Sequence, residues 1–277
     1  MTISRSRLVD TTVSRWYHCI SRCVRRAHLM GTEAAPGRKD WIENRLKELD
    51  QIFADSVGGF SLMDNHLHLL LRIDPDVAKG WSDTEVVERW FRLFPRRGSD
   101  RKPMKVSKEI MDVCVANVSW VAETRKRLSS LGWFMKCLKE PLARLANKQD
   151  ECTCAFFEGR FKSIAILDEK SLLSVCAYID LNPVSAGIAP TPETSEHTSL
   201  NARVEHVKMS GRTKSENGGM TIIARSIMGL TDILSYSGDG STSSSLTIQC
   251  PGSRRRRQSR SWSRSAAHEL RERGFRT

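Results

Sequence analysis

The residues best placed to do chemistry are His66 and His68, one residue apart in the apolar run Phe60–Ile73, FSLMDNHLHLLLRI. Successive side chains on a strand point to opposite faces, so this run predicts a strand. Met63, Leu67, Leu69, Leu71 and Ile73 fall on one side, and Asp64, His66, His68 and Arg72 on the other. One side packs and the other is free for chemistry. Neutral imidazole is the commonest protein metal ligand, and two of them at i and i+2 on a strand can converge on one ion. Alone, such a pair is more often plain polar surface, so the rest of the chain has to supply what a metal site needs.

Two further segments could bring groups to the histidines. Asp168 caps a helix predicted through about Leu181, with Leu172, Cys176 and Ile179 in one narrow arc and Ser171, Ser174, Tyr178 and Asn182 on the opposite one. Tyr178 and Asn182 are then one turn apart on one face. Pro183 restricts Asn182 away from a helical conformation and places its amide at the fraying end of that helix. Upstream, Ala155–Ile166, AFFEGRFKSIAI, alternates like a strand and carries Arg160 and Lys162 on one face. Beside a phosphate these charges would be useful; elsewhere they are ordinary surface.

The remaining elements frame these. Arg15–Val24, RWYHCISRCV, reads as a first strand. Ala34–Gly37 is a breaker. Asp40 then caps a helix to about Val57, with Ile42, Leu46, Leu49 and Phe53 as its stripe and Gly58-Gly59 as its stop. After Asp74-Pro75, Ser82 or Asp83 starts a helix buried through Val86, Val87, Trp90, Phe91 and Phe94. Arg96–Lys108 is a basic connection, followed by one helix over about Lys108–Leu128 and another over Trp133–Lys148, which Pro141 should kink or restart from a new first turn. Periodicity fades from Ala189, with Thr191–Ser199 a loop and Met220–Leu234 the one later helix. The order of elements suits an α+β sheet with helices on one face, leaving the histidine face open or covered by a partner.

Composition narrows the function classes. In 277 residues, 39% hydrophobic, there is material for one good-sized domain with appendages or for two small domains. No apolar run approaches the ~18 residues that span a bilayer, so no membrane role is expected. Eight scattered cysteines do not read as a disulfide frame, and neither Cys19, Cys23 and His28 nor Cys152 and Cys154 has the paired spacing of a structural zinc site. The formal charge is +12, of which nine Arg and two Glu after Gln249 supply +7, a basic Ser/Arg-rich tail of the kind that binds nucleic acid without sequence choice.

The passages MDNHLHLLLR, EGRFKS and YIDLNPVSAG, in this order and with YHCISRC before them, closely resemble the REP-associated tyrosine transposases. These are a branch of the insertion-sequence 200-type single-tyrosine transposases of the HUH superfamily. The resemblance covers about residues 14–200, with a helical insertion at about 95–132, and leaves 201–277 as a polar, largely disordered tail. It implies the HUH transposase fold, a ferredoxin-like or RRM-like antiparallel sheet with helices packed on one face. It also implies that His66, His68 and Asn182 are metal ligands for Mg²⁺ or Mn²⁺, that Tyr178 is the nucleophile, and that Arg160 and Lys162 are DNA-binding. The implied partner is single-stranded DNA carrying a hairpin, with a homodimer allowed, in a bacterial cytoplasm in association with the nucleoid.

Two other readings stay open on the sequence. One is a catalytically inactive DNA-hairpin-binding relative with the same fold; the other makes His66 and His68 ligands in a metal hydrolase unrelated to DNA. The second leaves Tyr178, Asn182 and the basic balance unexplained.

Overall fold

The computed structural model describes residues 8–31, 36–100 and 102–210. These fall in one unit of the chain, Met1–Gly238; the second unit, Asp239–Thr277, the basic tail and the helix expected at Met220–Leu234 lie outside the described residues. The elements are β1 (Trp16–Arg22), α1 (Arg38–Ile52), β2 (Ser56–Leu62), β3 (His66–Arg72), α2 (Pro75–Gly80), α3 (Asp83–Leu93), α4 (Lys108–Ala116), α5 (Val118–Arg127), α6 (Leu131–Gln149), β4 (Lys162–Ile166), α7 (Glu169–Ser185) and α8 (Ser199–Ser210). The strands form one sheet in the order β2-β3-β1-β4, every neighbouring pair antiparallel. This is the expected α+β class, and the order is that of a ferredoxin-like sheet.

Strand alternation decides which face each residue serves. Tyr17, Cys19, Leu67, Leu69, Leu71, Val57, Phe60 and Leu62 enter one core with Ile42, Leu46 and Leu49 of α1 and Phe134, Met135, Leu138 and Leu142 of α6. Arg38, itself buried, ties the two helices: its Nε donates to Gln149 Oε1 at 2.7 Å, its Nη1 to the Leu29 carbonyl at 2.7 Å, and its Nη2 pairs with Asp150. Among the described residues no helix is long and apolar enough to cross a membrane.

Several local expectations change. Phe60–Ile73 is a hairpin, not one strand: residues 63–65 turn the chain between β2 and β3, with the Met63 amide donating to the His66 carbonyl at 2.9 Å. Asp64-Asn65 supplies the turn chemistry, and Asp64 bonds Lys39 at 2.6 Å instead of joining the histidine face. Gly58-Gly59 does not stop α1, which ends at Ile52; it forms a β-bulge inside β2. A Cβ on Gly58 would lie 2.5 Å from the Trp16 ring, so the bare backbone is what lets that indole lie across the strand.

Gly37, not Asp40, is the N-cap of α1. The helix expected over Lys108–Leu128 breaks at Asn117, whose Oδ1 accepts from the Trp120 amide at 3.1 Å and starts α5. The α6 helix runs through Pro141 without interruption. The strand expected over Ala155–Ile166 is regular only from Lys162, with an isolated bridge at Phe157 to Cys23. Between Ala189 and Ser210 the chain is more ordered than its weak periodicity suggests. A short 3-10 turn at Pro192–Thr194 leads to α8, and the Leu62 amide donates to the His197 carbonyl at 3.1 Å, covering the free edge of β2.

Candidate active site

The second face of the sheet is where the polar strand positions gather. By register it carries His66, His68, Leu70 and Arg72 from β3, Trp16, His18, Ile20 and Arg22 from β1, Lys162, Ile164 and Ile166 from β4, and Ser61 from β2. That face is covered in part by α7 of the same chain. Leu172 and Ile179 bury against Leu70 and Ile166, with Trp16, Val175 and Cys176 packed around them. Each of the two fully packed aliphatic side chains is worth about 1.5–3 kcal/mol, and this contact fixes α7 against the sheet.

Asp168 caps α7 as expected, its carboxylate accepting from the Ser171 amide at 2.8 Å. Pro183 does not end the helix. It is buried, and the turn closes beyond it through Ala186 N to Asn182 O at 3.0 Å and Ile188 N to Pro183 O at 2.9 Å. Burial of the ring and these closing bonds offset the amide hydrogen that proline lacks. Asn182 is therefore held in the helix one turn beyond Tyr178, not at a frayed end.

Midway between them, Asp180 anchors the helix from its other side. Its Oδ1 accepts from Ser199 Oγ at 3.2 Å and its Oδ2 pairs with Arg203 of α8 at 2.5 Å, while Ser199 Oγ accepts from the Phe60 amide at 3.1 Å. One carboxylate thus ties α7, α8 and β2 together.

The result is a cluster of rings and an amide. The ring centroids of His66 and His68 are 4.9 Å apart, and the Tyr178 ring meets His68 edge-on at 5.4 Å. His68 Nε2 lies 3.4 Å from Asn182 Nδ2, and His66 Nδ1 lies 2.6 Å from Asn65 Oδ1. Tyr178 remains 53% exposed at the rim while His68 is 1% exposed beneath it. Of the other tyrosines, Tyr17 is buried on the core side, bonded to the Asp10 backbone at 2.8 and 2.9 Å, and Tyr236 lies outside the described residues.

Both site imidazoles are neutral near neutral pH. Burial pushes His68 down to about 3, helped by His18, His66 and Arg22 nearby; burial and then Arg22 lower His66. Neutral rings keep lone pairs for a ligand. Among the described residues no group of three His, Cys, Asp or Glu side chains is placed to hold a metal; the group nearest His68 Nε2 on α7 is the Asn182 amide. Cys19 and Cys23 are core thiols, Cys23 pushed up to about 12 by burial.

The structure separates the two expected phosphate contacts. Lys162 is exposed on the histidine face, opposite Ile20. Arg160 precedes β4 and lines a different cavity, of about 600 Å³, with Lys136 and Lys139 of α6 and Phe157. Two residues that sequence reasoning passed over belong to the histidine face. Arg22 stands opposite His66, and His18 sits 5% exposed beside His68. Both share the parity of Trp16 and Ile20 along β1, the signal that could have found them.

No protein-family model matches this chain, and no curated protein matches it. Among solved structures, it is similar to a REP-associated tyrosine transposase bound to a REP hairpin, with TM-score 0.42, 10% identity, and 76% of this chain and 88% of that one covered. It is also similar to a candidate transposase from Deinococcus radiodurans R1, with TM-score 0.29, 16% identity, and 60% and 89% covered. At these scores the likenesses carry no chemistry over to this chain.

Proposed function

We propose that this protein is a DNA transposase that cleaves and rejoins single-stranded DNA near hairpins, with Tyr178 as nucleophile and a divalent cation held by His66, His68 and Asn182. The observation that carries the reading is the seating of α7 on the histidine face, which brings the Tyr178 ring and the Asn182 amide to His68.

Two of these donors are spaced as ligands of one divalent ion. Two ligands at right angles on an ion at ~2.1 Å lie about 3 Å apart, close to the 3.4 Å between His68 Nε2 and the Asn182 amide. A half-turn of that amide exchanges its nitrogen for its oxygen. The nitrogen donors suit Mn²⁺ better than the harder Mg²⁺. Such an ion, when bound, polarises the scissile phosphate and neutralises the charge that develops on it.

The chain's own residues do the rest. Tyr178 is exposed enough to meet a strand lying over the sheet, and the buried His68 and half-buried His66 below it keep their lone pairs. Its phenolic oxygen attacks phosphorus as the bond to the 3′ oxygen breaks; the phenol's proton passes to water, the departing 3′ oxygen takes one up to leave as a 3′ hydroxyl, and the DNA 5′ end is left as a phosphotyrosine. Attack by another 3′ hydroxyl reverses the step, so joining needs no ATP. Arg22 and Lys162 border the same face and would hold the strand by its phosphates.

The test is to incubate the full chain with Mn²⁺ and single-stranded oligonucleotides carrying the imperfect hairpins that flank its gene. A denaturation-resistant adduct, lost in Tyr178→Phe, in His66→Ala/His68→Ala and with a chelator, supports the reading. Hairpin binding without any adduct would instead support an inactive hairpin-binding protein.

A further inference from the structure

A divalent ion on His68 Nε2 requires that nitrogen to be bare, which means the ring's proton must sit on Nδ1. Nothing in the imidazole itself fixes this, because the two neutral tautomers are close in energy and the partner of the second nitrogen decides. In most protein metal sites that partner is a carboxylate or a backbone carbonyl. Here it is another imidazole: His18 Nε2 lies 2.9 Å from His68 Nδ1, with the rings stacked at 5.1 Å and 26°. The two side chains come from adjacent strands, β1 and β3, and both are buried.

One proton fits between these nitrogens. If His18 donates it, His68 must carry its own proton on Nε2, facing Asn182, and that nitrogen is closed to a metal. If His68 donates it, His18 is the acceptor with its proton on Nδ1, and His68 Nε2 is bare toward Asn182. His66 is set in the same sense by a different device, since Asn65 Oδ1 can only accept and so holds the His66 proton on Nδ1.

We propose that His18 is a positioning residue. It accepts the Nδ1 proton of His68 and holds that ring in the tautomer and plane that present Nε2 to the ion. The proposal rests on the metal-dependent reading above and extends it to a residue that touches neither ion nor DNA. A neutral acceptor in place of a carboxylate adds no negative charge behind the ligand. The site therefore keeps its full positive charge for the phosphate.

The experiment has two arms. Long-range ¹H–¹⁵N spectra of the histidine-labelled full chain, with and without Mg²⁺, read the His68 tautomer directly and need no variant. The expected result is a proton on Nδ1 in the presence of the ion; a proton on Nε2 would overturn the proposal. Mn²⁺ affinity, by calorimetry, is then compared in wild type, His18→Phe and His18→Gln. Loss of a partner behind a ligating histidine typically costs 10–100-fold in metal affinity. His18→Phe should show such a loss, and His18→Gln, whose carbonyl can accept the same proton, should recover most of it. Equal affinity in wild type and folded His18→Phe would refute His18 as a positioning residue while leaving the metal site intact. Absence of Mn²⁺ binding in wild type would instead remove the metal-dependent reading and this proposal with it.

Discussion

Replacing Gly58 by Ala tests how the active-site helix is seated. The added Cβ would lie 2.5 Å from Trp16 Cζ3, 3.1 Å from Cη2 and 3.3 Å from Leu70 Cδ2. Relaxed carbon–carbon contacts are ~3.5–4.0 Å, so the indole must retreat by roughly 1 Å. Trp16 packs in the cluster of Leu70, Ile166, Leu172 and Ile179, which holds α7. Overpacking of this kind costs about 1–3 kcal/mol. The ring is only half-buried and can yield outward, which puts the cost near 1 kcal/mol, or about 2–4 °C in the melting temperature of a folded region this size.

A double-mutant cycle isolates the cause. Trp16→Ala has its own cost, but with the indole gone Gly58→Ala keeps only the milder 3.3 Å approach to Leu70 Cδ2 and should cost little further, giving an interaction energy approaching about 1 kcal/mol. Circular dichroism melts and urea titrations of the four proteins measure it. A displacement of this size near reacting groups can lower a rate by ~10²-fold, so adduct formation should fall by far more than the stability loss. Strict additivity, or a Gly58→Ala protein that melts as wild type, would refute this account of α7.

Three further outcomes are expected. The folded-state pKa of His68 is depressed to about 3 from an ordinary 6.5, so its contribution is complete above about pH 6.5 and is lost as pH falls toward about 3. Urea midpoints should show a loss of about 2 kcal/mol from about pH 7 to about pH 5, with a shallower fall in His68→Gln; equal slopes would contradict the burial argument. Asp55 acts in the opposite sense. It is 1% exposed, and burial followed by the Asp74 charge raises its pKa well above 3.8, against the opposing pull of the Asp74 backbone amide. Its neutral form favours folding below that value, and stability is lost as pH rises through the raised one, so Asp55→Asn should be more stable than wild type at neutral pH and show no such decline. On DNA, Lys162→Ala and Arg22→Ala should each weaken hairpin binding and lower the slope of log affinity against log salt by about 1, whereas Arg160→Ala, facing another cavity, should leave adduct formation unchanged.

Much of the site could be read from the chain because strand parity and helical spacing are local. The His-x-His pair, the Asp168 cap and the Tyr178–Asn182 turn need no tertiary knowledge, and all three occur where the spacing puts them. What escaped was decided by contacts distant in sequence. The Gly58-Gly59 pair reads as a stop signal because its purpose, room for Trp16, lies forty residues upstream. Pro183 reads as a helix end until burial of its ring outweighs the lost amide hydrogen. The α8 helix has little apolar periodicity of its own and is held by Arg203 and Ser199 on Asp180. His18 looked like one polar residue in a mixed strand; only the pairing of β1 with β3 puts it behind His68. The division of Arg160 from Lys162 was hidden because the regular strand begins at Lys162, seven residues later than the sequence pattern implies.

The most direct test of the central claim is to digest the covalent protein–DNA species with trypsin and nuclease and map the residual nucleotide by mass spectrometry. The account predicts a single modified peptide, Ser171–Arg203, carrying the phosphate on Tyr178, the one tyrosine it contains, with linkage to the DNA 5′ end. A nucleotide on any other residue, linkage through the 3′ end, or an adduct that persists in Tyr178→Phe would contradict it.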